Sequence, residues 1–290
     1  MQTIAKHLAS SLNRGGAKSA KPDLFFLRVL CVFAVLSLSI ACAAPPTPAP
    51  QPSRTLTVFA ASSLLDAFNE IKSGFELTRP GVTVLFNFDG SHSLRAQLEQ
   101  GAAADVFASA NQKEMDAVIA ASLAGSGAAT VFATNQLVVI TPANGGQPAN
   151  VHSLADLARP GVALVLAAED VPVGDYARTS LANLESQLGP GYKDNVLANV
   201  VSSEDNVKQV VAKVQLGEAD AGIVYTTDAA ATPDLVSITI PAEYNVTARY
   251  PIAALSNAPQ PELAAEFVTY VLSADGQAVL KKWGFGSAAP

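Results

Sequence analysis

Apolar residues between positions 55 and 136 recur with two spacings that alternate along the chain. Residues 55–60 and 82–88 have strand character, and the second of these segments places an apolar residue at every second position. Between them the apolar residues repeat every three to four positions, as on one face of a helix. A helix from about Leu94 to Gly101 and a short strand at 105–109 complete a predicted βαβαβ unit.

The same alternation returns in the second half of the chain. Strands are predicted at 162–166, 221–225 and 250–255, and helices at 176–188, 207–216, 261–272 and 275–283. The β-branched run at 137–140 suits a crossing between two domains, and residues 55–290 suffice for two cores. We therefore predict an α/β fold with two lobes, each a mostly parallel sheet flanked by helices, joined by two hinge crossings. Lobe I is predicted to comprise 55–136 plus 247–290, and lobe II 137–246.

The N-terminal segment has the pattern of an export signal. A basic stretch precedes an apolar run at 29–41, which is too short to span a bilayer and fits a signal-peptide core. The run ends at Cys42, and a Pro-rich stretch follows, as at a bacterial lipoprotein cleavage site. We expect a signal peptide at 1–41, a lipidated Cys42 and a tether at 42–54. Ser39 departs from that motif, which usually has Leu there, so simple secretion is the alternative.

Composition limits the partners that the chain can have. Its formal net charge is −7, and removal of 1–41 would make it more acidic still, which disfavours nucleic acid and anionic membrane surfaces. Three scattered histidines and no cysteine pair in the mature part offer no metal-ligand spacing. An anion would have to be bound by local hydrogen-bond donors against the net field of the protein.

Two serine-bearing loops offer such donors. Ser63 and Ser91 each follow a predicted strand and open a predicted helix. Helix N-termini expose unpaired N–H groups and the positive end of the helix dipole, so two of them make an anion cradle. Further helix starts are predicted near Val173 and just before Val207, and Tyr225 ends a predicted strand. These residues would surround a small oxyanion from both lobes.

Each of these residues also has a purely structural interpretation. Ser63 precedes Asp66 by three positions, the spacing of a capping box, so its hydroxyl can simply cap a helix. Ser202 and Asp205 have the same spacing, and there capping is the preferred interpretation. Tyr225 is equally suited to an ordinary core position.

Two other classes of protein are disfavoured. A serine hydrolase using Ser63 or Ser91 would need a histidine from elsewhere in the chain, but His92 adjoins Ser91 and no Gly-x-Ser-x-Gly motif surrounds either serine. A receptor for a sugar or an amino acid would usually present aromatic platforms or an arginine clamp near the ligand. The single tryptophan, Trp283, is far from the serine loops in sequence.

The chain resembles the molybdate-binding proteins of ABC transporters, within the type II periplasmic-binding-protein fold. The resemblance covers about 55–285, and its ordered segments are 57–64, 88–94, 97–101, 104–110, 171–177, 218–225, 250–253 and 284–285. It implies that the hydroxyl and backbone N–H of Ser63 and Ser91, the N–H of Val173 and Val207, and the hydroxyl of Tyr225 bind the oxyanion. Asp89 departs from the usual Ala or Gly, and its carboxylate would repel the ligand unless it points away.

The resemblance also implies a function. We expect an extracytoplasmic component of a molybdate or tungstate importer that works with a membrane permease and an ATPase. It would be an exported monomer, held at the membrane by lipid or free in the periplasm. It would have no enzymatic step and no cofactor, and molybdenum would enter only within the bound oxyanion. A receptor for sulfate or another oxyanion is the alternative, and the sequence leaves the choice between molybdate and tungstate open.

Overall fold

The computed structural model describes residues 53–143 and 151–288, which belong to one structural unit. The expected signal peptide, Cys42 and most of the tether lie outside the described residues. Within these ranges no helix is both long enough and apolar enough to cross a lipid bilayer.

The described strands form two sheets. In chain order the strands are β1 (Arg54–Ala61), β2 (Val82–Asp89), β3 (Val106–Ala108), β4 (Thr130–Asn135), β5 (Leu137–Pro142), β6 (Leu164–Ala167), β7 (Val200–Glu204), β8 (Ala221–Tyr225), β9 (Leu235–Thr239), β10 (Ala248–Ala254) and β11 (Gly286–Ser287). The first sheet has the order β11-β4-β10-β3-β1-β2, and the second has the order β7-β6-β8-β5-β9. We call the first sheet with its helices lobe I and the second lobe II.

Helices flank both sheets. They are α1 (Leu65–Leu77), α2 (Ser91–Glu99), α3 (Gln112–Ala120), α4 (Pro172–Leu188), α5 (Tyr192–Leu197), α6 (Val207–Gln215), α7 (Thr226–Ala230), α8 (Pro261–Leu272) and α9 (Ala274–Lys282), with 3₁₀ turns at Ser62–Leu64 and Leu154–Ala158. Helices α1 to α3, α8 and α9 belong to lobe I, and α4 to α7 belong to lobe II. The α/β class and the two-lobed architecture predicted from the sequence are confirmed.

Both sheets are mixed rather than mostly parallel. The pairs β1–β2, β1–β3, β6–β7 and β6–β8 are parallel, as expected for strands joined through helices. The pairs β4–β10 and β5–β9 are antiparallel. The chain leaves lobe I through β4 and β5 and comes back through β9 and β10, so each outgoing strand lies beside a returning one.

The parallel strands determine where the loops of interest lie. Strands β1, β2 and β3 end at one edge of the first sheet, where Ala61 is in register with Asp89. Strands β6, β7 and β8 likewise end together in the second sheet. Ligands of open α/β sheets bind outside such carboxyl ends.

Aromatic residues fill the core beneath this edge. Phe68, Phe75 and Phe267 are fully buried and pack edge to face around one another. Tyr250 of lobe I packs edge to face on Tyr225 of lobe II, with ring centroids 5.9 Å apart. Apolar packing therefore continues from one lobe into the other directly behind the loops that follow β1 and β8.

Candidate functional site

A small cavity lies between the two lobes, at the carboxyl ends of their parallel strands. Its lining includes all five residues that the sequence predicted for the anion site, although they come from distant parts of the chain. The lining residues are Ala61, Ser62, Ser63, Asp89, Gly90, Ser91, Ala110, Val171, Pro172, Val173, Val207 and Tyr225.

Four helical N-termini meet at this cavity. Ser63 lies in the 3₁₀ turn that leads into α1, Ser91 is the first residue of α2, Val173 is the second of α4, and Val207 is the first of α6. The cap positions before the first three are Ala61, Gly90 and Val171, and none supplies a capping side chain. First-turn N–H groups without a cap are free to bind an anion.

The fourth N-terminus, that of α6, has a side-chain cap that does not use the N–H of Val207. The side chain of Asn206 accepts a hydrogen bond from the Gln209 N–H, two residues beyond Val207. Ser202 instead lies in β7 and donates its hydroxyl to the Glu204 carboxylate. The prediction that Ser202 and Asp205 form a capping box is therefore wrong, because Asn206 takes the cap position.

The two serine hydroxyls have partners behind the cavity. The Ser91 Oγ accepts a hydrogen bond of 3.0 Å from the Ala110 N–H, so its own proton is left to donate. The Ser63 Oγ lies 3.1 Å from the Tyr250 hydroxyl, and either can be the donor. Neither the 3₁₀ turn at Ser62–Leu64 nor α1 has a side-chain cap at its N-terminus, so the capping interpretation of Ser63 is wrong.

Tyr225 combines a core position with an unpaired polar group. Its side chain is 1% exposed, yet its hydroxyl has no hydrogen-bond partner among the described residues. Buried polar groups are normally paired, and an exception calls for an explanation. Burial raises the pKa of Tyr225 well above its ordinary value, and Tyr250 adds to the rise. The phenol therefore stays protonated, as a donor to the cavity.

The lining carries no Lys, Arg or His, and its only charged residue is Asp89. One oxygen of this carboxylate, Oδ1, accepts from the Gly90 N–H at 2.8 Å and from the Asn206 Nδ2 at 3.1 Å. Asn206 belongs to lobe II, so Asp89 bridges the cleft. The sequence singled out Asp89 as unusual but did not pair it with Asn206, which lies 117 positions away.

The arrangement does not suit the two alternative classes. His92 Nε2 lies 3.0 Å from the hydroxyl of Ser93, whereas the hydroxyls of Ser63 and Ser91 contact Tyr250 and Ala110. A catalytic triad is therefore not assembled on either serine within the described residues. The lining also contains no arginine and no aromatic residue except Tyr225, so it lacks the clamp or platform typical of amino-acid and sugar receptors.

The sequence model of a family named bacterial extracellular solute-binding protein matches residues 56–286. The chain belongs to this family. The molybdate-binding protein ModA of Mycobacterium tuberculosis is 41% identical over 244 residues, which is 84% of this chain and 88% of the relative. The resemblance expected from the sequence is thereby confirmed.

Two solved structures of low identity agree with the fold. The periplasmic molybdate-binding protein of Azotobacter vinelandii has a TM-score of 0.68 at 22% identity, covering 79% of this chain and 98% of its own. The sulfate-binding protein SubI of Mycobacterium tuberculosis has a TM-score of 0.72 at 16% identity, covering 82% and 88%. Since one fold serves receptors for both oxyanions, the fold by itself does not select the ligand.

The hydrogen bond between Asp89 and Asn206 allows a first prediction. Asn206→Asp keeps a capping acceptor at α6 but replaces the donated hydrogen bond with repulsion between two carboxylates across the cleft. We expect anion affinity to fall by about three- to tenfold, corresponding to about 1 kcal/mol, with an unchanged unfolding temperature of the free protein. Titration calorimetry and thermal unfolding measure the two quantities.

A double-mutant cycle separates this repulsion from direct repulsion of the ligand. Asn206→Asp is compared in the wild-type background and in the Asp89→Ala background. The loss should be smaller when Asp89 is absent. An equal loss in both backgrounds would mean that residue 206 acts on the ligand alone.

Proposed function

We propose that this protein is the extracytoplasmic binding component of an ABC importer for molybdate or tungstate. The observation that carries the proposal is the lining of the cavity, where uncapped helix N-termini, serine hydroxyls and the unpaired Tyr225 hydroxyl converge without a cation. The identity to molybdate-binding ModA supports the choice of ligand.

The donor set suits a fully deprotonated tetrahedral oxyanion. Molybdate, tungstate and sulfate are dianions near neutral pH, so each of their oxygens is an acceptor only. Hydrogen phosphate keeps a proton and needs an acceptor, and with Oδ1 of Asp89 engaged by two donors only the Oδ2 atom of this carboxylate could accept that proton. Each charge-assisted hydrogen bond contributes about 1.5–3 kcal/mol, so the five residues suffice for nanomolar to micromolar affinity.

Binding would act through closure of the lobes. Ser63 and Ser91 lie on lobe I, whereas Val173, Val207 and Tyr225 lie on lobe II, so a bound anion is held by both. Closure about the two crossings, with lobe boundaries at 55–136 plus 247–290 and 137–246, is the motion that we propose. A permease and an ATPase would receive the ligand from a monomer that is exported and either anchored through Cys42 or free in the periplasm.

A panel of oxyanions tests the proposal by titration calorimetry of the purified protein. We expect tight binding of molybdate and tungstate, with sulfate at least about a hundredfold weaker, a difference of about 3 kcal/mol, and no binding of phosphate. Molybdate and tungstate are larger than sulfate, so a closed site that fits them would contact sulfate only loosely. Sulfate binding as tight as that of molybdate would contradict the ligand assignment, and the absence of binding by every oxyanion would contradict the function.

A further inference from the structure

One lysine side chain connects three segments that contain or adjoin predicted ligand residues. The Lys208 Nζ lies 2.8 Å from Oδ2 of Asp66 and 3.0 Å from Oδ1 of Asp228. Lys208 follows Val207 in α6, Asp66 follows Ser63 by three residues, and Asp228 follows Tyr225 by three. Asp66 belongs to lobe I, whereas Lys208 and Asp228 belong to lobe II. The ion pair between Lys208 and Asp66 therefore crosses the cleft behind the cavity.

The two carboxylates that share Lys208 differ in exposure. The Asp228 side chain is 0% exposed, and Lys208 is its cationic partner within the described residues, with the Tyr225 backbone adding a smaller favourable contribution. The Asp66 side chain is 32% exposed. Separating Lys208 from Asp228 would leave a charge buried and unpaired, which is costly, whereas Asp66 can return to water at little cost.

The pKa shifts of Asp228 and Lys208 also indicate that this ion pair stays together. Burial raises the pKa of Asp228, and Lys208 opposes that rise. Burial alone would lower the pKa of Lys208, but the carboxylates of Asp228 and Asp66 outweigh it and the pKa is raised. Lys208 therefore stays charged. None of the three residues lines the cavity, so they act on the ligand only through the loops that they join.

We propose that Lys208 and Asp66 form an ionic clamp that holds the two lobes together over the bound anion, while Asp228 keeps Lys208 in position when the lobes part. The proposal rests on the proposed function and makes Asp66 and Lys208 positioning residues. Opening breaks the partly exposed ion pair with Asp66 and leaves the buried ion pair with Asp228 intact. The clamp therefore stabilises the closed form without locking it.

The test compares Asp66→Asn with Glu70→Gln. Both residues lie on α1, one turn apart, and both carboxylates are paired with a lysine. Glu70 pairs with Lys282 of α9 and accepts from the indole of Trp283, so its contacts stay within lobe I. Glu70→Gln is thus a matched control that removes an ion pair without touching the cleft.

We expect Asp66→Asn to weaken molybdate affinity by about three- to tenfold, nearly all of it as faster dissociation in stopped-flow displacement. The difference from wild type should shrink in high salt, since the pair is partly exposed. Glu70→Gln should stay within twofold of wild type, and both free variants should unfold at similar temperatures. Unchanged dissociation in Asp66→Asn, or an equal change in Glu70→Gln, would overturn the clamp.

A readout without ligand separates this proposal from the proposed function. Small-angle X-ray scattering of the free proteins should show a more expanded Asp66→Asn variant, because the closed population falls. Identical scattering of wild type and Asp66→Asn would overturn the clamp even if no oxyanion bound. Failure of wild type to bind any oxyanion, together with an expanded variant, would overturn the function and leave the clamp standing.

Discussion

Replacing Gly90 with alanine should weaken molybdate binding by about a hundredfold or more, which is about 3 kcal/mol, while leaving the free protein as stable as wild type. Gly90 has φ −60° and ψ 136°, a conformation that any residue adopts, so the substitution strains no backbone. A methyl group there would collide with the backbone carbonyl oxygen of Asp205, which belongs to lobe II. Overpacking of this kind costs about 1–3 kcal/mol or more, and the part of it that comes from the collision with Asp205 falls on the closed form alone.

Gly125→Ala is the matched control for this prediction. A methyl group at Gly125 would meet only the Ala128 side chain at 3.6 Å, an ordinary contact. Calorimetric titration should separate the two variants, and thermal unfolding of the free proteins should not. The methyl group added in Gly90→Ala would also lie 2.8 Å from ring atoms of His92. If His92→Ala restored binding to Gly90→Ala, the collision would lie within lobe I and the closure argument would fail.

Replacing Tyr225 with phenylalanine should weaken molybdate binding by about ten- to a hundredfold, corresponding to about 1.5–3 kcal/mol. The change removes a single hydroxyl and leaves the ring packed on Tyr250. Because the hydroxyl has no partner within the described residues, its loss should not lower the free energy of unfolding of the free protein. Titration calorimetry and chemical denaturation measure the two effects.

Tyr192→Phe is expected to have the opposite effects on stability and on affinity. The Tyr192 hydroxyl donates to the Leu154 carbonyl at 2.6 Å, away from the cavity. Its removal should lower stability by about 0.5–1.5 kcal/mol and leave affinity unchanged. If Tyr225→Phe instead behaved like Tyr192→Phe, the ordinary core interpretation of Tyr225 would be correct.

Strongly apolar elements could be predicted well from the sequence. The strand at 221–225 and the helix at 261–272 have the bounds of β8 and α8, because their buried residues are apolar and follow one period. Elements with polar surroundings were missed. Helix α3 buries Glu114 against Arg95, which hides its helical pattern, and the half-exposed strands β7 and β9 bury too few side chains to show one.

The proximity of the five site residues could be predicted, because all of them lie at the carboxyl ends of parallel strands. Each of Ser63, Ser91, Val173 and Val207 lies in the loop or first helical turn after such a strand, and Tyr225 ends one. The residue pairs that contact each other across the cleft could not be predicted. Asp89 and Asn206 are 117 positions apart, and Asp66 and Lys208 are 142 apart, so no local pattern links them. Their proximity depends on how the two lobes face each other.

The short crossing between the lobes has a mechanical consequence. Only Gln136 separates β4 from β5, and neighbouring Cα atoms are about 3.8 Å apart. At that point the lobes can pivot but cannot be pulled away from each other. Under the proposed closure, the relative motion of the lobes at this crossing would be a rotation, so the donors of one lobe would approach the ligand and the other lobe about a common axis.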